Sequence, residues 1–377
     1  MLYSEVCDSR ISQLAYGCMR FPTLGSDAAI NEAETAKLLS YAYENGVNYF
    51  DTAYVYHNGE SEKLLGKLLK KFSRNKFYLA TKLPGWFKDS QTNPRKYFEE
   101  QLEKCGTHYF DFYLLHNVAE GHIDTYINED YGVIKYLLEE KAKGRIRHLG
   151  FSTHGRIETV KDFLDKFGSS MEFAQIQLNW LDWKLQNAKG MYDLLGEYNI
   201  PVWVMEPVRG GTLANLSDEN NARLKALRPD ESIASWAFRW LQTLPNVKTT
   251  LSGMTTFEQV QDNIKTYSVE KPLSKEETDV LAEIADSMLD LLPCTSCRYC
   301  VKGCPMGIDI PVMLAYYNDC RFIPNMNSKQ GVLNFPPQNQ PKACIKCGSC
   351  VDICPQRIDI PTEFEKFVGI MDKMGSW

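Results

Sequence analysis

"NYFDTAYVYHNGESEKLLGKLL" (48–69) holds one complete strand-and-helix unit. Its start belongs to a short apolar run, "VNYFD" (47–51), that stops at Asp51. From "GESEKLLGKLLKKF" (59–72) onward the apolar residues fall at helical spacing. Aromatic and β-branched residues on both sides of the run suit a strand buried on both faces, with the helix covering it. The pattern recurs at "QLAYGCM" (13–19), "KFYLAT" (76–81), "DFYLLH" (111–116), "RHLGFS" (147–152), "FAQIQL" (173–178), "PVWVME" (201–206) and "VKTTLSG" (247–253), eight runs in all.

Helical patterns lie between them. "NEAETAKLLSYAYENG" (31–46) ends at Gly46, and "NPRKYFEEQLEKCG" (93–106) opens with Asn93 as N-cap and Pro94 at the first helical position. "SIASWAFRWLQTL" (232–244) is another. Eight βα units in roughly 250 residues predict an α/β fold, a closed (β/α)8 TIM barrel. A doubly wound open sheet is the alternative, but no G-x-G-x-x-G follows the first strand. "EKPLSKEETDVLAEIADSMLDLL" (270–292) reads as a helix leaving the barrel, capped by Ser274 with Glu277 and ended by Pro293. The expected division is a barrel over 1–288 and a small, mainly helical domain over 289–377, whose middle, "NSKQGVLNFPPQNQPKA" (327–343), reads as a connector.

Composition narrows the function. The net charge is −6 with no basic run, which argues against nucleic acid. No apolar stretch is long enough for a membrane span, and the charged start "MLYSEVCDSR" lacks the apolar core of a signal peptide. Of twelve cysteines, eight fall in two motifs, which suits a reducing, cytoplasmic setting. Cys7, Cys18, Cys105 and Cys320 are scattered and read as small buried hydrophobes.

"CTSCRYCVKGCP" (294–305) and "CIKCGSCVDICP" (344–355) share the spacing C-x2-C-x2-C-x3-C-P, and each is followed by IDIP. C-x2-C alone leaves zinc open. The full spacing, found twice, resembles the bacterial-type two-cluster ferredoxins and implies two 4Fe–4S clusters. The fourth cysteine of each ferredoxin motif ligates the other motif's cluster. The resemblance therefore implies one cluster on Cys294, Cys297, Cys300 and Cys354, and another on Cys344, Cys347, Cys350 and Cys304.

Barrel chemistry gathers at the C-terminal ends of strands. Those ends carry Asp51, Lys82, His116, Ser152, Gln175 to Asn179, Glu206 and Ser252. The stretch 48–69, with "ATK" (80–82) and "LLHN" (114–117), resembles the aldo–keto reductase family over residues 1–285. The resemblance implies a tetrad of Asp51, Tyr56, Lys82 and His116, with Tyr54 left to packing. In physical terms, the Lys82 ammonium is expected to lower the Tyr56 pKa and Asp51 to hold Lys82. Tyr56 then donates a proton to the alkoxide made by hydride transfer, and His116 positions that oxygen.

The same resemblance implies NADP(H) or NAD(H), with NADPH placed ahead of NADH on the family's account alone. It gives Ser152 and Gln175 to the nicotinamide carboxamide, Met205 to the ring face where the family usually has Tyr, and Arg209 with Gly211 to the pyrophosphate. In "LSGMTTFEQVQDN" (251–263) it gives Gly253, Met254, Gln259 and Asn263 to the adenosine phosphate, although Gly253 and Gln259 stand where NADPH-preferring members carry cations. The loops 83–94 and 117–132 are expected to border the pocket through Trp86, Phe87, His122 and Tyr126. The implied substrate is a small carbonyl or alcohol. A hydride carries two electrons and each cluster one, so a protein redox partner, or a flavin in the barrel mouth, is the implied link. The alternative is that the iron–sulfur domain is a structural, docking or oxygen-sensing module.

Overall fold

The computed structural model describes residues 1–27, 29–294 and 297–375. Thr295 and Ser296 of the first cysteine motif lie outside the described residues. The chain forms two compact units. One comprises Met1–Asp182 and Ala188–Asp279, the other Trp183–Asn187 and the chain from Val280 on. Among the described residues no helix is long and apolar enough to cross a membrane.

The first unit begins with a hairpin, β1 (Tyr3–Val6) and β2 (Ser9–Ser12). Its two-residue turn places Cys7 and Asp8 at φ 49° and 50°, the left-handed geometry that tight hairpins demand. The eight expected strands follow: β3 (Leu14–Gly17), β4 (Tyr49–Asp51), β5 (Tyr78–Pro84), β6 (Phe110–His116), β7 (Ile146–Thr153), β8 (Ala174–Gln177), β9 (Val202–Met205) and β10 (Val247–Ser252). All pair in parallel and close into a barrel in the order β10-β3-β4-β5-β6-β7-β8-β9. The hairpin meets the strand starts: Ser4 Oγ donates to Lys248 O, and the Ser12 N–H donates to Asn48 Oδ1. It thus covers the N-terminal end of the barrel. Ile11 from the hairpin joins Tyr49, Phe112, Phe173 and Trp203 in the core cluster. The Phe173 and Trp203 rings are 4.6 Å apart, and Tyr49 and Phe112 5.0 Å. These large side chains fill the interior, so the open end for chemistry is the C-terminal one.

The expected caps are present. Asn93 accepts from the Lys96 N–H, with Pro94 opening the helix Pro94–Cys105. Ser274 and Glu277 exchange both capping-box bonds at the start of the helix Lys275–Met288. That helix stops at Met288, short of the expected end at Pro293.

The second unit repeats itself. Each cysteine motif contains a one-turn helix, Tyr299–Lys302 or Ser349–Asp352. Each IDIP starts a longer helix, Ile310–Phe322 or Ile360–Lys373. Pro311 and Pro361 sit in the first turn, where the missing N–H has no helical partner to lose. Met313, Leu314 and Tyr317 of one helix and Phe364, Phe367 and Met371 of the other form the core, with the Tyr317 and Phe367 rings 5.2 Å apart. The connector is more ordered than its composition suggests. It contains the helix Met326–Leu333, whose N-cap Asn325 accepts from the Ser328 N–H and whose Val332 is buried.

Candidate active site and cluster sites

Three successive barrel strands bring the tetrad candidates together. Asp51 ends β4, Lys82 lies in β5 and His116 ends β6. Tyr56 begins a short turn, Tyr56–Gly59, in which His57 and Asn58 adopt left-handed backbone angles. Lys82 Nζ donates to Asp51 Oδ1 at 2.6 Å and to Thr52 O at 2.7 Å, and it lies 3.4 Å from the Tyr56 hydroxyl. Lys82 is 0% exposed and Asp51 3%. The Tyr56 and His116 rings meet edge to face, with centroids 6.1 Å apart. Tyr54 faces elsewhere, its hydroxyl on Glu100 Oε2 at 2.7 Å.

The electrostatics differ from the sequence expectation in one respect. Burial pushes the Tyr56 pKa up, and this outweighs the opposing pull of the Lys82 ammonium. Tyr56 is therefore a protonated phenol with a cation waiting beside it. Burial disfavours the Lys82 ammonium, but Asp51 and Tyr56 more than compensate, and its pKa is raised. Burial, helped by Lys82, drives His116 well below its usual range, leaving a neutral imidazole. Its Nδ1 is buried without a partner among the described residues.

A strut fixes His116. Tyr126, expected at the pocket border, is 1% exposed instead. Its hydroxyl donates to His116 O at 2.7 Å and accepts from the Gly85 N–H at 3.1 Å. A Cβ on Gly85 would stand 2.1 Å from that oxygen, so only glycine fits. Trp86 packs on the His116 and His122 rings, at 4.8 and 5.8 Å, and forms a wall beside them. Phe87 turns away to Tyr54 and Tyr97.

The cofactor candidates divide into two groups. Ser152 and Gln175 are register partners on β7 and β8, both 2% exposed. Ser152 Oγ accepts from the Asn117 N–H at 2.9 Å. Gln175 Nε2 reaches Met205 Sδ at 3.8 Å, while its Oε1 is buried with no partner among the described residues. That orphaned acceptor suits a ligand that brings N–H donors, as a carboxamide does.

The phosphate candidates are mostly committed to the protein. Arg209 is bound by Nε to the buried Asp182 at 2.9 Å, which balances its charge within the fold. Gln259 Oε1 accepts from the Thr255 and Thr256 N–H groups and completes a capping box for the helix Phe257–Tyr267. Asn263 donates to Ser252 Oγ at 3.0 Å. Met254 is 0% exposed, and its carbonyl accepts from the Tyr16 hydroxyl. Gly211 is at φ 99° with open space where a Cβ would be, in the loop after β9.

Sequence reasoning missed Arg20. Its side chain lies over Gly253, and its Nη2 pairs with Glu206 Oε1 at 3.1 Å. Glu206, at φ 54°, also accepts from the Gly210 N–H at 2.6 Å. The signal lies in its position: Arg20 directly follows the first strand run, at the same barrel end as Asp51 and Lys82.

In the second unit two cavities of similar size each meet four cysteines. Cys294, Cys297, Cys300 and Cys354 line the first; Cys304, Cys344, Cys347 and Cys350 line the second. Each set takes three cysteines from one motif and the fourth from the other. The remaining walls are mainly apolar, and Ile360 lines both cavities. All twelve cysteines are free of disulfides. Four thiols converging on an apolar hollow fit a thiolate-held 4Fe–4S cluster.

Comparison with known proteins agrees with both halves. The Aldo/keto reductase family model matches residues 13–286, and a 4Fe-4S dicluster domain model matches residues 293–358. An uncharacterized oxidoreductase, YqkF of Bacillus subtilis, is 27% identical over 304 residues, covering 73% of this chain and 92% of that protein. The NADH-specific methylglyoxal reductase of Escherichia coli is 24% identical, covering 66% and 86%. The holo form of aldo-keto reductase AKR11C1 from Bacillus halodurans superposes with a TM-score of 0.63 at 26% identity, covering 75% of this chain and 96% of that one. With its eight-stranded parallel barrel and its paired cysteine motifs, the chain belongs to the aldo/keto reductase family and carries a 4Fe-4S dicluster domain.

Proposed function

We propose that this oxidoreductase interconverts a small carbonyl compound and its alcohol with a nicotinamide dinucleotide, and that residues 289–377 hold two 4Fe–4S clusters serving a separate protein redox partner. The observation that carries the first part is the buried Asp51–Lys82–Tyr56 chain, ending against His116. A bound nicotinamide would supply or accept the hydride at the carbonyl carbon. Everything else falls to the chain's own residues. Tyr56, kept protonated by burial, gives its proton to the substrate oxygen in reduction and takes it back in oxidation. Lys82 stabilises the phenolate left behind, and Asp51 and Thr52 O hold Lys82 in place. Neutral His116 orients the substrate oxygen by hydrogen bonding, and Trp86 walls the pocket.

Gln175 Oε1 and Ser152 would take the carboxamide, with Met205 beside the ring. NADH is favoured over NADPH. Gly253 and Gln259 bring no cation to a 2′-phosphate, and Gln259 is used as a cap. The name of the Escherichia coli relative, which states NADH specificity, supports the same choice. In the cluster unit, Cys297 and Cys347 are exposed ligand candidates, which suits electron exchange with a partner at the surface. Eight cysteines given to clusters, with none of the twelve in a disulfide, support a cytoplasmic setting.

The test is Tyr56→Phe in anaerobically purified, cluster-loaded protein, assayed against a panel of aldehydes and ketones with NADH. Turnover should fall at least ~100-fold, the scale of a lost general acid, while NADH binding measured by fluorescence stays within twofold. A variant that keeps most of its turnover would remove Tyr56 from the reaction.

A further inference from the structure

We propose that Arg298 sets the two clusters at unequal reduction potentials, the cluster on Cys294, Cys297, Cys300 and Cys354 being the easier to reduce. The inference rests on the reading of the two cavities as 4Fe–4S sites. The two motifs match residue for residue at an offset of fifty, so the same backbone is built twice with different side chains. Arg298 in the first motif corresponds to Gly348 in the second. Both positions are left-handed, at φ 64° and 81°. Glycine adopts that geometry freely, whereas an arginine is strained there. The strained residue is also the charged one.

Arg298 lines the first cavity. It is the one charged residue among the described residues lining either cavity. Its Nη2 pairs with Asp309 Oδ2 at 2.7 Å, and of the two residues only Arg298 belongs to a cavity wall. The matching Asp359 instead caps its own helix by accepting from the Thr362 N–H. Lys346 of the second motif pairs with Glu365, and neither lines a cavity. Lys302, Asp352 and Arg357 flank ligand positions without lining either hollow. Reduction adds one electron, and hence one negative charge, to a cluster. A positive charge carried by a residue of the cavity wall favours that reduced state, which raises the potential. The Arg298 side chain is 55% exposed, so water screens the effect and keeps it moderate.

Potentiometric titration with dithionite, followed by electron paramagnetic resonance on the anaerobic full-length protein, tests this. The wild type should titrate in two one-electron waves. Arg298→Gly, which relieves backbone strain and so should fold, should lower the upper wave. At a fixed potential its reduced-to-oxidised ratio falls about tenfold, or about 59 mV for one electron, while the lower wave stays put. Gly348→Arg, where a Cβ meets nothing within 4 Å, should raise the lower wave. An upper wave that does not move in Arg298→Gly, or that moves upward, overturns the proposal. A protein with about eight irons and a single unsplit wave also overturns it. A purified protein without iron overturns the cluster reading itself.

Discussion

Lys82→Met separates what the buried ion pair does for stability from what it does for chemistry. In the native protein the ammonium touches Asp51 Oδ1, Thr52 O and the Tyr56 hydroxyl, and neither Lys82 nor Asp51 is more than 3% exposed. Methionine fills the space but strands Asp51, whose Oδ2 already lacks a partner among the described residues. Breaking a buried pair from one side costs about 3–5 kcal/mol, mostly as an uncompensated charge. Replacing Asp51 by Asn as well removes that charge, so Lys82→Met/Asp51→Asn should recover at least half of the loss in a urea titration. Turnover should not recover, because the phenolate of Tyr56 still lacks its cation; a deficit of about 10²–10⁴-fold is expected in both variants. The pH dependence has a definite sign. Burial raises the Asp51 pKa, and without Lys82 nothing opposes it. A carboxyl raised above its unfolded value of about 3.9 contributes its stability at low pH and loses it as pH rises through the folded pKa. The single variant's deficit should therefore shrink on acidification from pH 7 towards pH 5. The native Lys82, also raised, loses its contribution only at alkaline pH. A single variant within about 1 kcal/mol of wild type at every pH would refute the claim that this pair is both buried and ionised.

Three further outcomes are expected. Cys304→Ser should abolish the same paramagnetic signal as Cys347→Ser, and Cys354→Ser the same one as Cys297→Ser, each leaving about half the iron; uncrossed ligation would pair the losses within each motif. Gly85→Ala drives a methyl into the Tyr126 hydroxyl, so it should destabilise by about 1–3 kcal/mol and lower kcat through His116 while the KM for NADH holds. The wild type should show a higher kcat/KM with NADH than with NADPH, and Gly253→Lys should narrow that ratio; a native preference for NADPH would contradict the reading of the Gly253–Gln259 segment.

The barrel was legible because its signals are local. Each strand is an unbroken apolar run with a punctuated helix behind it, and Asp51, Lys82 and His116 sit where three such runs end. The readings that changed depended on which partner a side chain takes, which a local pattern does not show. "EPVRGG" shows an arginine after a strand but not that Asp182 holds it. "TTFEQ" reads equally well as a cap or as a phosphate contact, and the structure uses Gln259 as a cap. Tyr126 has the look of a pocket aromatic until its hydroxyl is found on His116 O. The helix Met326–Leu333 was masked by the Pro- and Asn-rich residues around it, since two helical turns leave too short a period to stand out. Arg20 is the opposite case: its position was readable, and only its pairing with Glu206 required the fold.

The cysteine sets carry a consequence for how the second unit assembles. If each motif closed its own site, half of the unit could load metal alone. Cys354 lines one cavity with Cys294, Cys297 and Cys300, and Cys304 the other with Cys344, Cys347 and Cys350, so neither lining is complete until both motifs are in place. The core that brings them together is the pairing of the two helices that follow IDIP, through Tyr317 and Phe367. Ile360 lies in that core as well and lines both cavities, so packing and ligation depend on the same residues. Loading of either site should therefore be tied to the folding of the whole unit. A unit built this way is costly to use as a mere structural staple, for which one closed site would suffice. Two adjoining one-electron centres, made unequal by a single arginine, are better suited to passing electrons in one direction than to holding the chain together.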